Sequence, residues 1–313
     1  MRKVFLLLLV TLLTYSSIYS KNLKLEKEIE LSFFLKPHQP HLVYVAVDSL
    51  GFIFVTQRGK DMFLKLDPAG EVVLRAPQKI EGEIIRFDID GTGNVVCLFT
   101  GRMAGNSLFL PLIWFEGNSG QKIREINLGE IFNFVAHLKI LRPKDLILVN
   151  GIEKNEGLPR NSLHLTDFNL NLIKSFSPLK EQRGDMTSLL KNNPDYFAAA
   201  PKYDPDSEII FQAFPEAGLI KCFNLNGNQV AETEWVGKDI ILVHSGDLWI
   251  KGKDGFNVFK KKGNRFEPAK LIIKDDKGNT IPWYPVAQDT NGRVYFLGGD
   301  EFQTLMIYSI ENQ

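Results

Sequence analysis

The sequence predicts an all-β protein, a six-bladed β-propeller of four-stranded antiparallel blades whose ring is closed by the N-terminal strand. Three observations predict it. A phrase of two short apolar strands around an Asp- or Gly-containing turn returns along the chain, a second strand pair follows each copy, and the last unit lacks one strand that the N-terminus can supply.

The phrase is clearest at Val43 to Val55, VYVAVDSLGFIFV, at Ile85 to Leu98, IRFDIDGTGNVVCL, and at Val286 to Phe296, VAQDTNGRVYF. Weaker copies stand at Leu138 to Val149, around Arg142, Pro143, Lys144 and Asp145, at Tyr203 to Phe211, YDPDSEIIF, and at Ile240 to Ile250, IILVHSGDLWI. From turn to turn the interval is about 40 to 60 residues, the period of propeller blades or solenoid coils. The second pairs are FLKLDPAGEVV from Phe63, IWFEGNSGQKI from Ile113, LHLTDFNLNLI from Leu163, IKCFNLNGNQV from Ile220 and VFKKKGNRF from Val258. Gly, Asn or Asp occupies each turn, where a positive φ costs Gly nothing and Asn or Asp little. Two hairpins make a four-stranded blade.

The final unit has three clear strands, ending at Tyr308 to Ile310. The segment Asn22 to Phe34, apolar at Leu23, Leu25, Ile29 and Leu31, is expected to be its outer strand. Closure matters because an open stack of blades leaves apolar faces and unpaired strand edges at both ends. Residues 21–313 are therefore expected to form a single domain.

Ahead of that domain, Arg2 and Lys3 precede an apolar run from Val4 to Val10, then Leu12 and Leu13, then Ser16, Ser17 and Ser20. That is the layout of a secretory signal peptide over residues 1–20. The run is shorter than the roughly 20 residues of a spanning helix, so cleavage after Ser20 is the expectation and an uncleaved anchor the alternative. No cysteine lies near the boundary to carry a lipid anchor. The expected location is periplasmic or secreted, with no membrane association after cleavage.

Composition narrows the partners. Thirty-seven basic side chains balance 37 acidic ones, 44% of residues are apolar and two are cysteine. Nucleic-acid binding by a basic face is not expected, nor is disorder or a disulfide-stapled miniature. Cys97 and Cys222 fall in blades two and four, too far apart for the ~4.4–6.8 Å Cα separation of a disulfide, and are read as buried thiols.

The pattern apolar-apolar-x-Asp-x-x-Gly-x-apolar-aromatic-apolar at Asp48, Asp90 and Asp289 resembles the NHL-type and TolB-like six-bladed propellers, many of them exported bacterial proteins. The resemblance covers nearly all of the chain after residue 20 as architecture, with blade three lacking the turn glycine. It implies fold and export but no activity, because function resides in sites rather than folds.

If each innermost strand runs into the Asp-x-x-Gly turn, all these tight turns share one face of the ring. The opposite face then carries long, dissimilar connections: Lys36 to His41, Arg58 to Asp61, Gly101 to Pro111, Gly151 to Ser162, Leu179 to Lys202, Asp276 to Tyr284 and Gly299 to Phe302. Varied loops on a rigid scaffold are where binding usually resides. The largest, LKEQRGDMTSLLKNNPDYFAAAPK, carries a short helix that Asp185 or Thr187 can cap and that Asn193 and Pro194 stop. It is read either as a flap presenting Tyr196 and Phe197 at the channel mouth or as a loop packed on its neighbour. The tripeptide Arg183–Gly184–Asp185 is read as a chance match to an adhesion motif.

Arg58, Lys60, Arg86, Asp88, Tyr196, His244, Trp283 and Tyr284 are the candidate ligand-binding residues. Asp88 stands where sister repeats have Ala46 and Ala287, with Arg86 two positions earlier on the same strand face, and the two are expected to neutralise one another. His38 and His41 flank a proline in KPHQPHL and lack a third ligand, and His137 and His164 are isolated in strands, so no metal site is expected. The run Lys260 to Lys262 beside Asp254 reads as a solvated turn, and Trp114, Trp235, Trp249 and Trp283 as packing residues. A calcium-dependent lactonase would need several oxygen ligands converging on the axis, and Val43 to Val47 and Ile240 to Val243 offer none.

No cofactor is expected and no catalytic residue is assigned. The favoured reading is a noncatalytic exported protein, monomeric, that binds a protein, peptide or small-molecule ligand on its variable-loop face. The alternative is a lactonase-like hydrolase or lyase at the channel mouth, using Arg86, Asp88 and His244. The signal reading has a direct check: N-terminal sequencing of protein recovered from a bacterial envelope fraction is expected to start at Lys21, and an intact Met1 terminus there overturns it.

Overall fold

A computed structural model describes residues 20–311 except 77–81, 106, 143, 155–156, 235–239, 245–246, 253–254, 263–264, 270–271, 276 and 290. The expected signal peptide and Trp235 lie outside the described residues. Six small antiparallel sheets form the structure, joined by one extra two-stranded hairpin at Arg102–Ala104 and Ser107–Phe109. The innermost strands are Val43–Val47, Ile84–Ile89, Phe132–Leu141, Lys202–Asp204, Ile240–His244 and Tyr284–Gln288. Each touches the next in that order, and the last touches the first. The result is the six-bladed propeller expected from the repeats.

Closure occurs where the incomplete last unit foretold it. Strand Ser20–Glu30 pairs antiparallel with Thr304–Glu311, from Asn22 opposite Glu311 to Glu30 opposite Thr304. It is shorter than the sequence suggested, because Phe34 and Leu35 both donate back to the Leu31 carbonyl, at 2.9 and 2.8 Å, and turn the chain. A bulge between Leu25 and Lys27 shifts the register by one residue. One extra residue exchanges the two faces of a strand. Leu23 thus packs with Trp249, Phe256 and Val258 of blade five, whereas Ile29 and Leu31 pack with Val47, Val55 and Leu66 of blade one. Leu25, beside the bulge, is left exposed.

The sixth sheet has five strands rather than four. Ile272–Asp275 runs parallel to Ser20–Leu23 and covers what would be the outer edge of the closing strand. The sequence placed no strand there, because Ile272–Asp275 finds its main partner at the other end of the chain and next to it only a single antiparallel bridge, Lys274 to Thr280.

Each pair of neighbouring blades shares one apolar cluster. Phe54, Phe63, Phe87, Phe99 and Phe115 fill the gap between blades one and two, with Phe63 ring centroids 5.9 Å from both Phe87 and Phe115. Ile147 and Leu138 meet Val96 and Trp114 between blades two and three, and Phe211 meets Phe266 between four and five. Second strands such as Ile53–Gln57, Val95–Phe99 and Val294–Gly298 are buried along their whole length because both faces meet a neighbouring sheet. Cys97 and Cys222 are buried and form no disulfide.

The turn chemistry explains the repeat signature. Asp48, Asp90, Asp167, Asn224, Asp275 and Asp289 each accept, on Oδ1, the backbone N–H groups two and four residues on, at 2.6–3.1 Å. The residue three places on then takes a positive φ: Gly51, Gly93, Gly227, Gly278 and Gly292 do so at 76–85°, and Leu170, in the glycine-less turn of blade three, at 64°. Antiparallel alternation places the turns at Asp48, Asp90, Asp167, Asn224 and Asp289 on one face and the long connections on the other, whereas the Asp275 turn follows a parallel strand and belongs to the connection into blade six. No helix among the described residues is long and apolar enough to cross a membrane.

Ring closure has a measurable cost of disruption. Leu31→Ala removes a fully buried side chain at the seam between closing strand and blade one, so urea unfolding is expected to show a loss of about 2–4 kcal/mol. A loss below about 1 kcal/mol would contradict the role given to this seam.

Candidate functional site

The long-connection face contains the channel mouth, and basic side chains from consecutive blades meet there. Blade one contributes Tyr44 from its inner strand and Arg58 from the end of its second strand, where the Arg58 N–H donates to the Leu42 carbonyl at 2.8 Å. Blade two contributes Arg86. Its Nη1 donates to the Tyr44 hydroxyl at 2.9 Å and to the Ile85 carbonyl at 2.5 Å, while the Tyr44 hydroxyl itself donates to the Ile85 carbonyl at 2.8 Å. Arg86 Nε is buried and has no hydrogen-bond partner. Burial pushes the guanidinium pKa down, Tyr44 opposes that, and the Arg58 charge lowers it further.

Blade three contributes His137. Its Nε2–H donates to the Phe197 carbonyl of the long connection at 3.1 Å. Burial, then the Arg86 charge, depress its pKa to about 3, with Lys202 and Arg58 acting the same way against the support of the Phe197 carbonyl. The ring is therefore neutral at physiological pH. Burial dominates that shift and the neighbouring cations add to it.

Asp88 does something other than neutralise Arg86. Its Oδ2 accepts the Ile140 N–H at 2.9 Å and pairs with Lys139 Nζ at 2.8 Å, both from blade three, and its Oδ1 accepts the Ile89 N–H at 2.9 Å. Burial pushes this carboxyl up, yet Lys139, Arg142 and the Ile140 N–H together hold it below the ordinary aspartate value. Arg142 donates from its Nη1 to the Val47 carbonyl at 3.1 Å, reaching from blade three past blade two to blade one. The expected Arg86–Asp88 pair is thus replaced by two separate contacts: the carboxylate faces blade three, where a cation and an inner-edge N–H await it, and the guanidinium reaches the phenol of blade one.

The long connection is built as the sequence suggested, with a different outcome for its aromatics. Helix Met186–Asn192 is capped by Asp185, whose side chain accepts the Ser188 N–H at 2.8 Å, and Asn193 ends it. Buried Leu189 packs with Ile152 and Leu179. The Tyr196 carbonyl accepts from Asn150 Nδ2 at 3.1 Å and from Gln212 Nε2 at 2.8 Å. The Tyr196 ring stands edge-on to Phe214 at 4.9 Å and Phe197 edge-on to Phe134 at 5.5 Å. These rings anchor the segment to blades three and four. What reaches the mouth is its backbone.

The other candidates scatter. Lys60 Nζ lies 5.0 Å from the centroid of the Phe34 ring, and the Lys60 carbonyl accepts the Ile84 N–H at 2.6 Å. Trp283 packs against Gly298 and the blade five–six core, and Tyr284 against the blade six–one core. His244 ends an innermost strand, and its side chain lies outside the described ones. Among the described residues no three His, Cys, Asp or Glu side chains gather as a metal cluster.

No family model matches the chain, and no curated protein resembles it in sequence. Solved structures do match over nearly its full length. A streptogramin B lyase superposes with a TM-score of 0.52 at 11% identity, covering 95% of this chain and 100% of the lyase. A gluconolactonase from Xanthomonas campestris gives 0.54 at 13%, covering 91% of this chain and 89% of the other. A chain of the mitotic checkpoint complex gives 0.50 at 10%, covering 92% and 96%. Two enzymes and a component of a protein assembly are similar to it in fold, so the likeness supports the propeller architecture and shows nothing about the reaction.

Tyr44, His137, Lys139 and Arg142 were not among the sequence candidates. Tyr44 had a usable signal: aligning VYVAVD with IRFDID puts Tyr44 and Arg86 at the same position of neighbouring repeats, hence at one height in the ring. The contacts of His137 and Arg142 bridge elements far apart in sequence and left none.

Two buried neutral histidines make stability pH-dependent. His137, at about 3, and His164, at about 4 because of burial with opposing help from the Gly151 and Asn161 backbone, both titrate well below the ordinary 6.5. Between those values the unfolded chain binds protons that the folded chain refuses, so stability is full above about pH 6.5 and falls as pH falls. The Asp88 contribution has the same direction but is lost only lower, as pH drops through its depressed folded value. Urea midpoints are expected to fall from pH 7 to pH 5 by an equivalent of about 1–2 kcal/mol per histidine, and the double variant His137→Gln, His164→Gln is expected to flatten that slope.

Proposed function

We propose that the protein is an exported, noncatalytic binding module of the NHL-type or TolB-like kind. It holds a protein, peptide or small-molecule ligand at the channel mouth on the long-connection face, acts as a monomer, and works in the periplasm or outside the cell without engaging nucleic acid or membrane. The observation that carries this reading is the separation of Arg86 from Asp88. A channel-mouth acid or base needs a carboxylate or imidazole free to exchange protons with a substrate. Here Asp88 is engaged by a lysine and two backbone N–H groups, and burial with the neighbouring cations lowers the His137 pKa to about 3, too weak a base for the role.

The second reading, a lyase or lactonase at the same mouth, draws on the likeness to the streptogramin B lyase and the gluconolactonase. Sharing a ring with enzymes supports it only at the level of scaffold.

The binding face is tested by capture from a native envelope extract. The double variant Arg58→Ala, Lys60→Ala is expected to lose the captured species at an unchanged thermal midpoint. Leu50→Ala, at a 75% exposed position in an Asp turn of the opposite face, is expected to retain it. Equal capture by all three proteins overturns the choice of face.

A further inference from the structure

Among the described residues, no carboxylate pairs with the two arginines of the mouth. Among the described residues neither Arg58 nor Arg86 makes an ion pair, and the polar partners of the Arg86 guanidinium are a phenol and a backbone carbonyl. A buried guanidinium is costly to desolvate unless a negative group meets it. Elsewhere in the fold Lys139 has Asp88 and Arg293 has Asp289 at 2.6 Å, while Lys65 has the neutral Asn118 at 2.8 Å with the Phe52 ring 4.2 Å from its Nζ. Arg86 meets neutral groups alone, and its unpartnered Nε sits where Arg58, His137 and Lys202 also bring positive or protonatable groups.

Three geometric facts make this a site rather than a defect. Tyr44 pins one side of the guanidinium, which orients the planar fork while Nε keeps an unmade bond. His137 is held as the Nε2–H tautomer by the Phe197 carbonyl, so protonating its other ring nitrogen would add a charge the mouth now resists. The inner strands of blades one to four stand side by side, so contributions from Tyr44 through Lys202 face a common space. The geometry points to an oxyanion, a carboxylate or phosphate group on a small molecule, as the ligand that the mouth takes, with the Arg86 fork as its principal contact and Arg58 as its outer one. Guanidinium forks match both groups bidentately. This inference rests on the binding reading given above and narrows it to a ligand class.

The test uses the whole mature chain and three probes at constant ionic strength: inorganic phosphate, citrate and sodium chloride. Thermal midpoints and the ring resonances of His137 are followed through each titration. Phosphate, citrate or both are expected to raise the midpoint saturably and to move the His137 titration upward by a unit or more, with chloride inert; which of the two acts identifies the group. Arg86→Gln is expected to weaken the effective anion at least tenfold. Arg86→Lys, which keeps the charge and loses the fork, is expected to fall between, and Arg58→Gln to weaken it less than Arg86→Gln does. No response to either anion, or equal affinity in Arg86→Gln with an intact ring, overturns the inference. The capture experiment separates the two failures: capture lost on Arg58→Ala, Lys60→Ala with no anion response leaves the binding face standing and removes only the oxyanion, whereas failure of both removes the binding reading as well.

Discussion

Ring closure rests on one antiparallel pairing between chain ends, Ser20–Glu30 against Thr304–Glu311. Every blade in a propeller borrows half of each apolar face from its neighbours, so no blade completes its burial unless the circle does. The bulge at Leu25 and Lys27 lets the closing strand serve two neighbours, with Leu23 committed to blade five and Ile29 and Leu31 to blade one. The short parallel strand Ile272–Asp275 then covers its edge, which would otherwise offer unpaired N–H and C=O groups to another chain.

Closure also sets the geometry of the axis. Innermost strands are held side by side with one hydrogen-bonding edge unpaired, and a side chain in the channel can satisfy that edge. Asp88 does so at the Ile140 N–H, and Arg142 does so at the Val47 carbonyl. Lys139 pairs with the Asp88 carboxylate and Arg142 adds to its stabilisation. Toward the long connections Arg86 meets a phenol and a backbone carbonyl, and the charges of Arg86 and Arg58 act on the neutral imidazole of His137. The long segment between blades three and four contributes by its backbone, held by Asn150 and Gln212. It is a structural wall of the mouth with its aromatic rings turned into the scaffold.

Much of the fold was legible because its rules are local. An aspartate that accepts N–H groups two and four residues on, followed by a residue of positive φ, writes itself into sequence as Asp-x-x-Gly, and alternating apolar residues write the strands beside it. The departures came where locality ends. Ile272–Asp275 runs into an Asp-x-x-Gly turn like the others, but its main partner is the parallel closing strand from the far end of the chain, and the bulge hides inside an apparently regular stripe of Leu23, Leu25, Ile29 and Leu31. In the site, Arg86 and Asp88 were identified as unusual by comparison with Tyr44, Ala46 and Ala287 in sister repeats. Their partners were misassigned, since two side chains on one strand face were expected to meet each other when each had a better partner on a neighbouring blade.

The sequence by itself determined the number of blades, the two-faced ring and the terminus that closes it, because turn chemistry and strand periodicity act over a few residues. Only the tertiary structure decided which charges are paired. Coulombic and hydrogen-bonding partners are set by distances across the axis, between residues that lie 42 positions apart for Tyr44 and Arg86 and 52 for Asp88 and Ile140, and no spacing along the chain encodes them.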